Sequence, residues 1–331
     1  MADWQIYTGT AEPHRAAIPA APPWRTFGDP KAGHQMELPA PESESETAAT
    51  FQATGEMVDA VNAALVLRRP LLLTGRPGSG KSSLIDSVAR ELELGRVLRW
   101  HVTSASTLTD ALYRYDAIGR LQAHGLRREQ SDGRVVDAPE IEDYLRLGPL
   151  GTALLPSLRP RALLIDEIDK SDIDLPNDLL NVFERGEFDV PELARMGTGP
   201  VDVRVDGGDE SYPIENGRVR CTEFPFVVLT SNGERDFPAA FLRRCIRLRM
   251  PDPTVTLLTD IMIAHLGAVA AAESDALIKD FATRAKADRA YATDQLMNAV
   301  FMVTGDGTPP GEEERARMVE LLLKKLATDV V

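Results

Sequence analysis

Cysteine is scarce: 331 residues contain only Cys221 and Cys245. The two lie far apart and form no C-x-x-C pair, which argues against a disulfide framework or a zinc site and leaves buried, reduced thiols as the expectation. Basic charge is also short. Lys and Arg total 37 against 51 Asp and Glu, a formal net charge of −14. A field of that sign repels a phosphate backbone, so a protein partner is expected and no nucleic acid. The pairs Arg68-Arg69 and Arg127-Arg128 are too small to reverse it. No run of 18 continuous apolar residues occurs, and the opening MADWQIYTGT lacks a basic stretch followed by an apolar one. Secretion and membrane spanning are therefore not expected, and the expected compartment is the cytoplasm. There is no internal repeat.

What is present suits a folded chain. The hydrophobic fraction of 43% and the charged fraction of 27% are near the globular average. Residues 1–50 form a Pro/Ala-rich arm, since proline at this density interrupts helices and sheet ladders alike. Trp24 and Phe27 are its candidate docking groups. From Phe51 the texture changes: Met57, Val61, Ala64 and Leu65 recur at helical spacing before the apolar PLLLTG. Strand, glycine loop, helix and the strand RVLRWHVT then make a βαβ unit, which predicts a parallel sheet. RALLIDEID, FPFVVLTSN and CIRLRMPDP read as three more strands. Excursions at about 115–148 and 190–221 interrupt them, the second with the alternation of a hairpin. The expected fold class is α/β: a body over 51–252 and a helical lid over 253–331.

Chemistry concentrates in two stretches. Gly75-Arg76-Pro77-Gly78-Ser79-Gly80-Lys81-Ser82, with Ser83 behind it, fits G-x-x-x-x-G-K-[ST]. Glycines let backbone N–H groups turn toward phosphates, Lys81 can reach the β and γ phosphates, and the Ser82 hydroxyl can ligate Mg²⁺. The apolar run LLID then ends in Asp166, placed to hold Mg²⁺, and Glu167, placed to polarise an attacking water. Asp169, Asp172 and Asp174 do not make a calcium loop, because Ile168 stands where a ligand oxygen is required. They are expected to be solvated acids at the start of a helix.

On these residues, together with LTSNGERDFPAAFLRRC, the sequence resembles the AAA+ ATPases and in particular their MoxR branch, from about Phe51 onward. The resemblance implies a P-loop α/β domain with inserted hairpins and a C-terminal helical lid, assembled as a hexameric ring with Mg²⁺ and ATP at the subunit junctions. It further implies that Asn232 senses the γ phosphate and that Arg244, supported by Arg243, reaches into the neighbouring copy's site. The implied work is remodelling or maturation of a protein client, with a von Willebrand factor A domain protein as a possible partner. One departure stands out: where relatives carry an arginine at the third lid helix, this chain has Thr293 and Asp294, and Lys286 or Arg289 would have to substitute. Two competing functions are a nucleotide-gated assembly or signalling switch, for instance in a bacterial defence system, and a DNA-acting AAA+ NTPase. The second is disfavoured by charge.

Overall fold

The computed structural model describes residues 4–29, 34–38, 46–130, 139–197, 199–287, 291–305 and 311–323. Helices α1 (Glu46–Thr50) and α2 (Gly55–Leu67) lead into β1 (Leu71–Thr74), followed by α3 (Lys81–Glu91) and β2 (Leu98–His101). The first excursion holds α4 (Leu108–Leu112), β3 (Tyr113–Tyr115), α5 (Ala117–Gln130), β4 (Leu145–Leu147) and α6 (Pro149–Ala153). After β5 (Ala162–Asp166) and α7 (Leu175–Arg185) come β6 (Glu187–Asp189), α8 (Pro191–Ala194), β7 (Pro200–Arg204), β8 (Ser211–Glu215) and β9 (Arg218–Arg220). The body closes with β10 (Phe226–Ser231), α9 (Ala239–Leu242) and β11 (Ile246–Arg249). Helices α10 (Val255–Glu273), α11 (Asp275–Ala287), α12 (Thr293–Thr304) and α13 (Glu312–Leu322) complete the described chain.

The five apolar runs form one parallel sheet in the order β11-β1-β10-β5-β2. The three central strands β1, β10 and β5 are buried on both faces, which is why they read as continuous apolar runs, whereas the edge strands β2 and β11 alternate with exposed Arg99, His101, Arg247 and Arg249. Leu72, Leu163, Ile165, Val227 and Leu229 point into one apolar cluster, while Leu71, Leu73, Leu164 and Val228 point into another on the opposite face. Register fixes the site: Thr74 lies beside Ser231, Leu229 beside Ile165, and Asp166 beside His101. The carboxyl ends of β1, β10, β5 and β2 therefore share one edge. A third apolar cluster, built around Leu258, Met262, Phe281, Leu296 and Val300, joins α10, α11 and α12.

The second excursion contains the expected hairpin, β7 against β8. The first pairs β3 with β4 antiparallel but carries a helix, α5, between them, with residues 131–138 outside the described set. Helix α10 meets the length and composition of a membrane span, 19 residues at mean hydropathy 1.7, without being a continuous apolar run. Asp260 and His265 interrupt it, Gly267 leaves the helical region at φ 87° and ψ 161°, and Leu258 and Met262 pack in the lid cluster.

The described part of the arm is docked. The Asn62 carboxamide, fully buried, accepts from the N–H groups of Ile6 and Tyr7 and donates to the Tyr7 carbonyl, so one side chain pairs backbone that no strand reaches. Phe27 stacks on Phe224 at 5.3 Å, as a docking group should. Trp24 does not: it is 74% exposed, and its neighbour Arg25, 6% exposed, is the buried anchor instead. Arg68 is also buried, donating to the Pro19 carbonyl and pairing with Glu223, so it belongs to the arm's seat and not to a basic patch. Cys221 and Cys245 are free and buried, and burial pushes both thiols up to about 12.

Candidate active site

The glycine loop joins β1 to α3. Gly80 caps α3 in the left-handed region at φ 79°, and Gly78 has φ 68° with a hypothetical Cβ only 2.5 Å from the Ala292 Cβ. A side chain at Gly78 would meet both backbone strain and the lid. With the loop so bent, Lys81 folds back over it, its Nζ donating to the carbonyls of Gly75 at 2.9 Å and Arg76 at 2.7 Å and to Asn232 Oδ1 at 2.8 Å. Burial lowers the Lys81 ammonium from the ordinary lysine range, while Asp166, Asp169 and Glu167 oppose that shift.

Asp166 and Glu167 stand at the tip of β5. Asp166 Oδ1 accepts from the hydroxyls of Ser82, at 3.2 Å, and Thr230. Glu167 has left-handed backbone angles, φ 58° and ψ 47°, held by its N–H donating to Thr230 Oγ1 at 2.9 Å. Its carboxylate is surrounded: Lys170 Nζ at 2.8 Å and His101 Nε2 at 3.5 Å face Oε2, and Asn232 Nδ2 donates to Oε1 at 3.4 Å. Asn232, just beyond β10, thus links Lys81 and Glu167.

Asp169 corrects the sequence reading. It is 3% exposed, and its Oδ2 accepts from the N–H groups of Asn232 at 2.9 Å and Glu234 at 3.0 Å. Arg235 adds a bond to the Ser171 carbonyl at 2.7 Å, stitching the segment after β10 to the segment after β5. Asp169 therefore holds the Asn232 loop, whereas Asp172 and Asp174 are exposed as expected. His101 and Lys170 were likewise missed, although the strand-end position of His101 in RVLRWHVT was a usable signal.

Two cavities of about 320 and 360 Å³ flank the loop. The first is lined by Thr74–Ser79, Asn232 and Pro251–Pro253, the second by Phe51, Gly78–Gly80, Ser83, Leu258, His265 and Asp294, and Thr293 borders both. Ser79 Oγ is buried with no hydrogen-bond partner among the described residues, as an acceptor-rich ligand in the loop would require. Ser82 and Asp166 offer adjacent hard oxygen donors, a set that suits Mg²⁺ shared with phosphate oxygens. The lid is tied to the loop by Arg76, which donates to the Ala285 carbonyl of α11 and pairs with Asp252 at 2.8 Å. Of the two suggested substitutes for the lid arginine, Lys286 is exposed and lines neither cavity, and Arg289 lies outside the described residues.

Lys81, Ser82, Asp166, Glu167 and Asn232 are brought together by hydrogen bonds at the sheet edge beside the glycine loop; Arg243 and Arg244 are not part of that network. Arg243 ends α9 with its side chain exposed, and Arg244 pairs with Glu184 of α7 at 3.0 Å.

Comparison with known proteins agrees with this architecture. Residues 70–245 match the model of the AAA domain, dynein-related subfamily. No curated protein sequence matches the chain. Among solved structures, a variant of RuvB from Thermotoga maritima is similar at 17% identity and TM-score 0.40, over 83% of this chain and 70% of that one. The Thermotoga maritima RuvB Holliday junction branch migration motor is similar at 16% identity and TM-score 0.41, over 87% and 72%. The family match spans the glycine loop, the β5 carboxylates and Asn232, which are the parts that the fold gathers at one sheet edge. The chain belongs to the dynein-related subfamily of AAA domain proteins and is a P-loop ATP hydrolase.

Proposed function

We propose that this ATPase works as a homo-oligomeric ring, hexameric by its resemblance to MoxR proteins, in which each site is completed by Arg244 of the adjoining copy and turnover remodels or matures a protein client. The observation that carries this reading is the division of charge. Lys81, Ser82, Asp166, Glu167 and Asn232 are joined by hydrogen bonds at the carboxyl edge of the sheet, while the two arginines that could neutralise a developing phosphoryl charge stand at the end of α9, where Arg244 pairs with Glu184 instead. Within the cleft, backbone N–H groups of Gly75 to Ser83 and Lys81 would grip the phosphates of ATP. Ser82 and Asp166 would hold Mg²⁺, which when bound neutralises phosphate oxygens. Glu167 takes the proton of the attacking water, and Asn232 orients that water against the γ phosphate. Closure of the lid would be felt at the loop through Arg76. The net charge of −14 supports a protein client over nucleic acid, and a von Willebrand factor A domain protein is the partner class implied by the resemblance.

Mixing protomers tests the shared site. Arg244→Ala should lower turnover by about 10³- to 10⁵-fold, and mixtures with Lys81→Ala protomers should regain activity at hybrid junctions. Absence of rescue at every ratio would remove the trans role. A second reading, a nucleotide-gated switch with slow turnover, is favoured by Thr293 and Asp294 at the start of α12, which bring no positive charge to the lid side of the glycine loop. Specific ATPase rate against protein concentration separates the two: a steep rise to fast turnover supports the motor, a loaded ring that barely hydrolyses supports the switch.

A further inference from the structure

Arg244 is not simply exposed. Its Nε donates to Glu184 Oε1 at 3.0 Å and its Nη1 to the Ala240 carbonyl at 3.2 Å, while Nη2 has no hydrogen bond among the described residues. The other oxygen of Glu184 faces Arg25 Nη1 at 3.3 Å. Arg25 has little freedom. Its guanidinium lies 5.1 Å from the Phe27 ring centroid and 5.0 Å from that of Phe224, and it donates to the Arg68 carbonyl at 2.6 Å and the Phe183 carbonyl at 3.0 Å. One carboxylate in the last turn of α7 thus bridges a fixed cation of the N-terminal arm and the cation at the end of α9.

An exposed pair alone would order Arg244 weakly, since both partners must give up rotamer freedom to form it. Here the buried cation fixes the carboxylate from behind, so the geometry offered to Arg244 is set in advance. Charge supports the same role. Two guanidinium groups sharing one carboxylate leave the cluster with a net positive charge, and the free Nη2 end of Arg244 stays available to an anion on a neighbouring copy. We infer that Glu184, held by Arg25, is the positioning residue that aims Arg244 at the adjoining active site. The inference rests on the reading of Arg244 as a trans-acting group.

The experiment compares steady-state ATP hydrolysis by the full-length chain and its Arg244→Ala, Glu184→Gln and double variants, each with its thermal unfolding midpoint. Misaiming a catalytic group should lower kcat by about 10- to 100-fold in Glu184→Gln, with KM for ATP within about twofold and an unchanged unfolding midpoint. The double variant should be no slower than Arg244→Ala, because a positioning residue has nothing left to aim. Glu184→Ala should behave like Glu184→Gln. Parental or faster turnover in both Glu184 variants, while Arg244→Ala is slow, would overturn the positioning role alone. A double variant slowed by the product of the two single effects would do the same. Parental turnover in Arg244→Ala would remove the trans reading itself, and this inference with it.

Discussion

The carboxyl edge of the sheet and the α9 edge handle charge in different ways. At the sheet edge Lys81, Asp166, Glu167 and Asn232 answer one another within a single chain, and backbone N–H groups pair with Asp169 and Thr230 beneath them. Just past the end of α9, Arg243 is exposed and Arg244 is secured at its Nε and Nη1 only. One region is assembled before any partner arrives, and the other presents a cation outward. On the proposed reading, preorganisation at the first would let the chain bind nucleotide alone, and presentation at the second would make turnover depend on a neighbour.

Three substitutions sharpen that contrast. Glu167→Gln should leave equilibrium ATP binding intact and lower single-turnover hydrolysis by about 10²- to 10⁴-fold, the range of a lost general base. Parental single-turnover rates would take the water-activating role away from Glu167. Asp169→Ala should act less on chemistry and more on structure. Two part-buried N–H groups lose their charged acceptor, which costs about 2 kcal/mol of unfolding free energy, and the displaced Asn232 should slow kcat by about tenfold or more. Denaturant unfolding alongside kinetics checks both halves, and a variant as stable as the parent would show that the Asn232 loop is held by other means. Arg76→Ala should have the smallest effect: loosening the lid raises KM for ATP by about tenfold, near 1.4 kcal/mol, with kcat within about twofold. An unchanged KM would separate lid position from nucleotide grip.

Much of this molecule was legible in its sequence, and the illegible parts share a cause. The central strands β1, β5 and β10 were plain because burial on both faces leaves a continuous apolar run, and the edge strands β2 and β11 were found by their apolar-polar alternation. The glycine loop and the β5 carboxylates were plain because their chemistry is set by local spacing. Asp169 was misread as solvated since its partners, the N–H groups of Asn232 and Glu234, come from a distant segment that folds back over it. Arg25 was overlooked for the same reason: its acceptors are the carbonyls of Arg68 and Phe183. Helix α5 has Ile118, Leu121 and Leu126 exposed, so it shows no buried stripe by which a helix is usually recognised. In the arm, Trp24 looked like the anchor because aromatic burial is common, yet the charged neighbour took that place.

The left-handed turn at Glu167 sets fold against chemistry. A residue with a Cβ occupies backbone that glycine would adopt freely, at a cost of roughly 1 to 2 kcal/mol. In exchange the carboxylate stands beyond the tip of β5 and not within its ladder. If Glu167 activates water as proposed, a glycine at this position would relieve the backbone and remove the base, so selection for thermal robustness alone would push the chain away from its own activity.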